Sequence, residues 1–300
     1  MCSMPQTFAG HAVPLPRALP LLEEVKLCGF TAVDIFGGEI MLRLDLPVLI
    51  ELAKRLNLYV MIISTGYGID EASLGRMVEA GLDKIEIAID APNAELHDFI
   101  KGRRGLFDHA VRAVRAAREN PRVYVEVNTV VLPENFRYLP QLHRFIASEL
   151  HGHRQHLFYV THPPSSLVRP RWLDEAQARE YFEVVKPELE RIEAELGTHI
   201  DFCPSVEPGD FASPEALYKN FSRGCYLGES RRCAAPEQDL MVLPDGEVYA
   251  CNSPMVIHSQ TAIGNMATHR LIDCLSGGPM ARWLREAGTW PECESCIARR

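Results

Sequence analysis

The sequence predicts an α/β protein in two parts, with a parallel sheet in the first part and a β-hairpin in the second. Helix-like and strand-like segments alternate over residues 15–165, the pattern of parallel strands joined by crossover helices. Beyond residue 163 this alternation gives way to loops and one long charged helix. Near the C-terminus, a Pro-Asp-Gly turn at residues 244–246 separates two short apolar runs, which is typical of a hairpin.

In the first part, helices are predicted from apolar residues at helical spacing, and strands from short apolar runs rich in β-branched residues. The predicted helices cover residues 19–29, 46–58, 71–80, 107–119 and 138–150. The predicted strands cover residues 32–36, 59–63, 84–90, 123–131 and 157–161. Because the carboxyl ends of parallel strands meet at one edge of a sheet, we expect the ligand site at that edge.

After the alternating segments comes a long charged helix over residues 174–196, which we expect to be interrupted or kinked near Pro187. Residues 201–230 are predicted to be irregular because prolines and glycines recur there. The two hairpin strands are predicted at residues 239–243 and 247–250. We therefore divide the chain into a first domain of residues 1–210 and a second domain of residues 211–300.

The composition narrows the class of protein. Lys and Arg number 31 against 40 Asp and Glu, a net charge of −9, whereas proteins that bind nucleic acid usually carry a basic face. No window of eighteen apolar residues and no signal peptide is found, so we expect no membrane association and a cytoplasmic location. His151, His153 and His156 lie close together, and we predict that they are solvated on a surface turn.

Nine cysteines without an export signal indicate metal or redox chemistry rather than a disulfide framework. Cys233 and Cys251 flank the predicted hairpin, and Cys293 and Cys296 form a CxxC motif, so these four are predicted to hold one metal site. Their spacing does not distinguish zinc from a 4Fe-4S cluster. Cys28 and Cys274 are predicted to be packing residues, and Cys225 remains an alternative fifth ligand.

Polar and glycine-rich motifs follow three successive predicted strands. They are Gly37-Gly38-Glu39, Ser64-Thr65-Gly66 and Asp90-Ala91-Pro92. The two glycines expose backbone carbonyls, which together with a carboxylate attract a primary ammonium group. Each motif taken singly is equally consistent with an ordinary turn or helix cap. Their recurrence at neighbouring strand ends favours a shared pocket.

These motifs resemble those of radical S-adenosylmethionine (radical SAM) enzymes. The family likeness rests on GGE, on STG and on the stretch KIEIAIDAPNAELHDFIKGRRGLFDHAVRAV that follows them. The cysteines at 233 and 251, the sequence IGNM at 263–266 and the final CxxC resemble the auxiliary-cluster domain called twitch, the short form of SPASM. The resemblance covers nearly the whole chain. It implies an α/β fold with a partial TIM-like (β/α)6 barrel that lacks its first strand, followed by a small hairpin-plus-helix iron–sulfur domain.

The resemblance also implies the cofactors and their residues. Gly37, Gly38 and Glu39 would meet the methionyl amino group of S-adenosyl-L-methionine (SAM), with Ser64 or Thr65 near its ribose or carboxylate. One 4Fe-4S cluster would lie at the SAM site, with Cys2 as a ligand. A second, auxiliary 4Fe-4S cluster would be held by the quartet Cys233, Cys251, Cys293 and Cys296.

The activity implied is reductive cleavage of SAM to a 5′-deoxyadenosyl radical, which abstracts a hydrogen atom from a peptide or small-molecule substrate. The reaction requires a one-electron donor such as flavodoxin or ferredoxin, and the auxiliary cluster would assist electron transfer. The alternative is a degenerate, non-catalytic protein that binds iron–sulfur or zinc through four cysteines.

The sequence departs from the family pattern at its start. The family's CxxxCxxC loop is absent, and Cys2 stands thirty-five positions before Gly37, where the third cysteine of that loop is expected. We therefore expect that the chain begins inside the motif and that, as given, it does not cleave SAM. The rival explanation is a homologue that has lost the cluster. A smaller departure is Ala88, where many relatives carry serine.

Overall fold

The structure is a computed structural model that describes residues 12–152, 154–159, 173–203, 239–251 and 262–286. Within these residues the chain forms two compact units. The barrel unit comprises residues 31–159 and 173–203, and the terminal unit comprises residues 12–30, 239–251 and 262–286. Among the described residues, no helix has both the length and the apolar character needed to cross a membrane.

Six parallel strands form the sheet of the barrel unit, and each pairs with the next strand in sequence. They are β1 (Ala32–Ile35), β2 (Tyr59–Ser64), β3 (Lys84–Ala88), β4 (Tyr124–Val131), β5 (Arg154–Tyr159) and β6 (His199–Cys203). Five of them confirm the predicted strands, whereas β6 was not predicted and overlaps the start of the stretch, residues 201–230, that was predicted to be irregular. This parallel α/β sheet confirms the predicted fold class.

Helices connect these strands and pack on one face of the sheet. The helices of the barrel unit are α2 (Leu46–Arg55), α3 (Glu71–Glu79), α4 (Ala94–Lys101), α5 (Leu106–Glu119), α6 (Leu139–Glu149), α7 (Glu175–Glu180) and α8 (Lys186–Leu196). Short 3-10 turns at Ile40–Leu42 and Phe136–Tyr138 complete the connections. Helix α4 was not predicted as a separate element. It is bounded by Asn93, whose side chain accepts from the Leu96 amide, and by Gly102 in the left-handed conformation.

The strands alternate between an apolar and a polar face. Val60, Ile62, Ile85 and Ile87 are fully buried on the side that packs against the helices. The opposite face, here called the polar face, carries charged and amide side chains on five of the six strands. These polar-face residues are Asp34, Lys84, Glu86, Glu126, Asn128, Arg154, His156 and Asp201. Parallel strands are normally apolar on both faces, so this polar content calls for a functional or electrostatic explanation.

The helix predicted over residues 174–196 is interrupted where the kink was expected. A π-helical segment, Tyr181–Val185, separates α7 from α8, and Pro187 lies in the first turn of α8. Proline has no N–H to donate and its ring crowds the carbonyl four residues before it, so the preceding turn widens. Tyr181 and Phe182, on the widened turn, are both buried.

The terminal unit contains a three-stranded antiparallel sheet and three helices. The strands are β7 (Met241–Val242), β8 (Glu247–Tyr249) and β9 (Gly264–Asn265), and the helices are α1 (Leu15–Leu27), α9 (Leu271–Ser276) and α10 (Gly278–Glu286). The predicted hairpin is therefore present, extended by β9. At its turn, Gly246 has φ +91° and donates its amide to the Leu243 carbonyl at 2.9 Å.

Helix α1 belongs to the terminal unit although it precedes β1 in sequence. Val25 and Cys28 pack against the apolar cluster around Val248, Leu271 and Trp283. The Leu271 amide at the start of α9 donates to the Glu24 carboxylate, which supplies a side-chain acceptor for a helix N-terminus. The division into domains of residues 1–210 and 211–300 stays a prediction.

Candidate functional site

The predicted site at the strand ends is organised around one carboxylate. Glu39 follows β1, and its Oε1 accepts from the Ser64 hydroxyl at 2.7 Å and from the Met41 amide at 3.1 Å. Its Oε2 accepts from the Thr65 amide at 3.0 Å and also from the Thr65 hydroxyl. The motif after β1 is thereby joined to the motif after β2. The sequence had placed Glu39, Ser64 and Thr65 in one site, and the structure brings them into contact.

This arrangement defines what Glu39 does locally. A carboxylate offers about four lone-pair directions, and four donors use them here. Ser64 is itself buried, and its oxygen accepts from the Gly66 amide at 2.9 Å. Glu39 therefore holds the two loops together, and the groups it leaves available for a ligand are the backbone carbonyls of the preceding glycines.

The two glycines before Glu39 border open space. A Cβ atom added to Gly37 or Gly38 would meet no atom of the structure within 4 Å. Gly37 has φ +154°, a backbone conformation that residues with a side chain rarely adopt. The backbone at the carboxyl end of β1 is thus accessible to a ligand.

Gly66, in the second motif, is required for a different reason. A Cβ atom at this position would lie 2.6 Å from the Cα of Ala110, and φ is +83°. Helix α5 therefore approaches the loop after β2 so closely that only glycine fits between them. This contact fixes the loop that carries Ser64 and Thr65.

The third predicted motif does not join the site. Asp90 is fully buried, its Oδ1 accepts from the Val130 amide at 2.9 Å and its Oδ2 pairs with the Lys101 ammonium at 2.8 Å. Its own amide donates to His97 Nδ1 at 3.1 Å, and burial lowers the pKa of that histidine to about 4. Asp90 therefore connects β3 to β4 and α4, whereas the cap of α4 is Asn93, so neither the predicted ligand contact nor a turn or cap describes its role.

The polar face holds a charged network that the sequence analysis missed. Lys84 Nζ lies 2.7 Å from Glu86 and 2.5 Å from Glu126, and His156 Nε2 lies 2.5 Å from Glu126. Asn128 Nδ2 donates to Glu86 at 2.6 Å. The prediction that His156 is solvated was wrong, because β5 begins at Arg154 and directs His156 into this network. The available signal was the alternation of charged residues in KIEIA.

The pKa values of two acids on the polar face are shifted in opposite directions. Burial opposes ionisation of Glu126, but hydrogen bonds from His156 and Lys84 overcome it and lower the pKa of Glu126 to about 2. Burial and the neighbouring charge of Glu86 raise the pKa of Asp34 to about 7. The oxygens of Glu86 and Glu126 and a nitrogen of His156 lie within 4.8 Å of one another, the spacing of a metal site. The Lys84 ammonium, however, already lies against both carboxylates.

Of the five predicted metal-ligating cysteines, only Cys251 lies among the described residues. It is buried just after β8. Cys2, Cys233, Cys293 and Cys296 lie outside the described residues. Cys274 is buried on α9, and its sulfur would be 2.2 Å from a Cβ added at Gly264, so it packs tightly against β9. That placement is what a packing role requires.

Two family models match the chain. Residues 1–146 match the radical SAM superfamily, and residues 233–297 match the SPASM iron-sulfur cluster-binding domain. A PqqA peptide cyclase from Granulibacter bethesdensis is 26% identical over 301 residues, which cover 99% of this chain and 75% of the relative.

Two solved structures show the fold that this chain shares. Streptococcus suis SuiB, bound to the precursor peptide SuiA, superposes with a TM-score of 0.69 at 15% identity over 94% of this chain. The chain spans 62% of the length of that SuiB chain. Native anSMEcpe with bound AdoMet superposes with a TM-score of 0.68 at 15% identity, covering 95% of this chain and 77% of that one.

Proposed function

Because the chain belongs to the radical SAM superfamily and carries a C-terminal SPASM domain, we propose that it modifies a peptide by radical chemistry. When bound, a reduced 4Fe-4S cluster and SAM supply methionine and a 5′-deoxyadenosyl radical, which removes a hydrogen atom from the substrate. The observation that carries the proposal is the site at the ends of β1 and β2, where Glu39 holds an accessible Gly-Gly backbone in place.

The residues present fit SAM. Its methionyl end carries an ammonium and a carboxylate, and Gly37 and Gly38 are exposed residues whose carbonyls are acceptors suited to the ammonium. We assign Glu39, Ser64 and Thr65 to holding this backbone in place, since their polar groups already bond to one another. The proposed recognition of SAM is therefore made by backbone atoms that side chains orient.

The residues proposed for the clusters are cysteines, whose thiolates are the usual ligands of iron–sulfur clusters. We assign Cys233, Cys251, Cys293 and Cys296 to the auxiliary cluster and Cys2 to the cluster at the SAM site. Cys251 fits this assignment because it is buried and closely follows β8, a strand of the hairpin that Cys233 and Cys251 flank in sequence. The electron donor is proposed to be a flavodoxin or a ferredoxin.

A peptide is the proposed substrate class for two reasons. The relative from Granulibacter bethesdensis is named a PqqA peptide cyclase, and the chain covers three quarters of it. A solved relative with the same fold holds a precursor peptide. The barrel unit offers the strand-end edge where α/β folds place their ligands.

The test of SAM recognition is a pair of glycine variants. Gly38→Val and Gly75→Val each add a side chain where no atom lies within 4 Å of the new Cβ, but only Gly38 borders the proposed SAM backbone. We expect Gly38→Val to weaken SAM binding by the reconstituted protein at least tenfold. Gly75→Val should retain the wild-type affinity for SAM. Equal behaviour of the two variants contradicts the proposal.

The cluster assignment is tested by iron and sulfide content. Cys293→Ala removes one proposed ligand, and we expect the reconstituted protein to lose the iron of its auxiliary cluster. Cys274→Ala is the matched control, because that thiol packs in the apolar core and its loss should leave the iron content unchanged. Loss of iron in Cys274→Ala with retention in Cys293→Ala would reverse the assignment.

A further inference from the structure

We propose that an arginine surface on the barrel unit, formed by Arg103, Arg104, Arg112 and Arg115, docks the acidic protein that donates the electron for the reaction. The identity of the partner as an electron donor rests on the proposed function. The surface itself rests on charges and contacts of the described residues.

Positive charge is concentrated between residues 102 and 122. This segment contains six arginines and two acids, a net charge of +4 on a chain whose overall charge is −9. It comprises the turn between α4 and α5, the helix α5 and the residues that follow it. The segment is therefore a basic region on an otherwise acidic protein.

The arginines of this segment lack the carboxylate partners that other arginines have. Elsewhere in the described part of the chain, nine arginines lie within 4.0 Å of a carboxylate oxygen. None of the six arginines between residues 102 and 122 forms such a pair with a described residue. The four arginines of the surface are exposed, so their charges face solvent and can meet a partner.

Contacts with two aromatic rings join the arginines into one surface. The Arg103 guanidinium lies 4.2 Å from the centroid of the Tyr67 ring, and that ring lies 5.0 Å from the ring of His109. Nη2 of Arg112 lies 3.1 Å from His109 Nδ1. These contacts restrict the two guanidinium groups before a partner arrives, so less side-chain entropy is lost on docking.

Arg104 and Arg115 extend the surface on either side. Arg104 follows Arg103 directly, and Arg115 lies one turn beyond Arg112 on the exposed side of α5. Arginine and tyrosine are enriched at protein interfaces. A guanidinium donates hydrogen bonds in a planar arrangement that matches a carboxylate. The arginine surface therefore fits a partner that is rich in Asp and Glu.

The arginine surface adjoins the strand-end site. Tyr67 comes two residues after Thr65, whose amide and hydroxyl donate to Glu39. Helix α5 lies against the same loop, because a Cβ atom at Gly66 would be 2.6 Å from the Cα of Ala110. A protein docked here lies beside the loops of the proposed SAM site. An electron donor requires this placement, because electron transfer weakens steeply with distance.

An acidic protein fits this surface better than a nucleic acid does. Flavodoxins and ferredoxins are small and carry acidic surfaces, and redox encounters of this kind bury little area and depend on charge for fast association. A nucleic acid carries phosphate charge along its whole length, which the acidic remainder of this chain repels. A compact basic region on an acidic chain therefore favours a compact acidic partner.

The test is isothermal titration of the full chain with two probes, a bacterial flavodoxin that holds FMN and a bacterial ferredoxin. We expect at least one probe to bind at low salt and to bind at least tenfold more weakly in about 0.2 M NaCl, because salt screens exposed charges. Arg103→Glu/Arg112→Glu should weaken binding at low salt at least tenfold. Arg104→Glu/Arg115→Glu, which leaves the ring contacts intact, should weaken it at least threefold.

The matched control is Arg17→Glu/Arg285→Glu. Both arginines are exposed in the terminal unit, and the net charge changes by the same amount as in the other two variants. The control should retain the wild-type affinity within threefold. Unfolding in urea is measured for all variants, so that loss of binding is separated from loss of folding.

Hydrogen exchange with and without the bound probe locates the contact. Slower exchange in residues 64–70 and 102–116 supports the inference, whereas slowing confined to other residues overturns it. The inference is also overturned if neither probe binds, if binding is insensitive to salt, or if the control loses as much affinity as the two surface variants.

Two competing probes distinguish other acidic partners. A thymidine oligonucleotide or an oligoglutamate peptide that binds these arginines more tightly than either donor would assign the surface to a nucleic acid or to an acidic peptide, and would overturn the inference. SAM binding is measured separately. A chain that binds no SAM but keeps its charge-dependent binding of a donor would count against the proposed function and not against the docking surface.

Discussion

The strand-end site and the polar face satisfy their carboxylates in different ways. At the strand ends, hydroxyl and amide donors from three residues surround Glu39 without a cation. On the polar face, Glu126 is 2% exposed and is held by the ammonium of Lys84 and the ring of His156. The first arrangement orders a loop beside open space, whereas the second balances buried charges. We therefore expect the polar face to dominate stability and the strand-end site to dominate ligand binding.

The largest effect on stability is expected from Lys84→Met. Removal of the ammonium takes the shared cation from Glu86 and Glu126, which are at most 13% exposed, and leaves Glu126 with His156 and with Arg154 at 3.4 Å. Breaking a buried pair of this kind costs about 3–5 kcal/mol, measured as the loss in free energy of unfolding by urea.

The matched control for that variant is Lys54→Met. The Lys54–Asp83 pair at 2.8 Å is partly exposed, with 33% and 26% of the side chains accessible, so its loss should cost about 1 kcal/mol or less. Similar losses in the two variants would contradict the view that the polar face dominates stability.

A pH effect of somewhat smaller size is expected from Glu126. Its pKa is about 2 in the folded protein against 4.5 as the ordinary value, so the unfolded chain binds the proton more readily. The stabilisation is present above pH 4.5 and is lost as the pH falls toward 2. A difference of this size corresponds to about 3 kcal/mol.

The measurement is the free energy of unfolding at several values between pH 6 and pH 2, for the wild type and for Glu126→Gln. The variant should have a flatter profile over this range. A wild-type profile that is retained in Glu126→Gln would assign the acid sensitivity to other carboxyls.

A smaller effect on stability than that of Lys84→Met, and the largest effect on ligand binding, is expected from Glu39→Gln. The amide nitrogen of glutamine is a donor and meets a donor at two of the four bonds that Glu39 accepts. We expect a loss of about 2 kcal/mol in stability and loss of SAM binding by isothermal titration. Glu71→Gln, at the start of α3, is the surface control and should change neither. A Glu39→Gln protein that is strongly destabilised but still binds SAM would contradict the view that the strand-end site dominates ligand binding.

The two regions also differ in how far the sequence predicted them. Gly37, Gly38 and Glu39 are consecutive and follow a recognisable strand, as do Ser64 and Thr65, and parallel strand ends meet at one edge. The closeness of these residues could therefore be predicted from the local sequence and the strand topology. The direction in which a side chain points could not be predicted in this way: the Asp90 side chain is buried and accepts from the Val130 amide.

The charged network of the polar face was not predicted because its residues lie on separate strands. Only the register between the strands brings these residues into contact. Lys84 and Glu86 alternate with buried isoleucines, a pattern equally typical of a solvated strand surface. β5 begins at Arg154, but its start was predicted at residue 157 because the polar residues Gln155 and His156 do not resemble a strand. Gln155 is buried and bonds to Thr129 and His143, while His156 faces the charged network. Opposite faces thus produced one continuous polar stretch in sequence.

The contact between α1 and α9 joins distant parts of the sequence, and this affects the order in which the protein folds during synthesis. The acceptor on Glu24 and its donor, the Leu271 amide, are 247 residues apart. A ribosome adds about 5–20 residues per second, so α1 exists for roughly 10–50 s before α9 can cover its apolar side. All six strands of the barrel unit are synthesised within that interval. The helix that is synthesised before any strand of the sheet is therefore among the last to reach its final place.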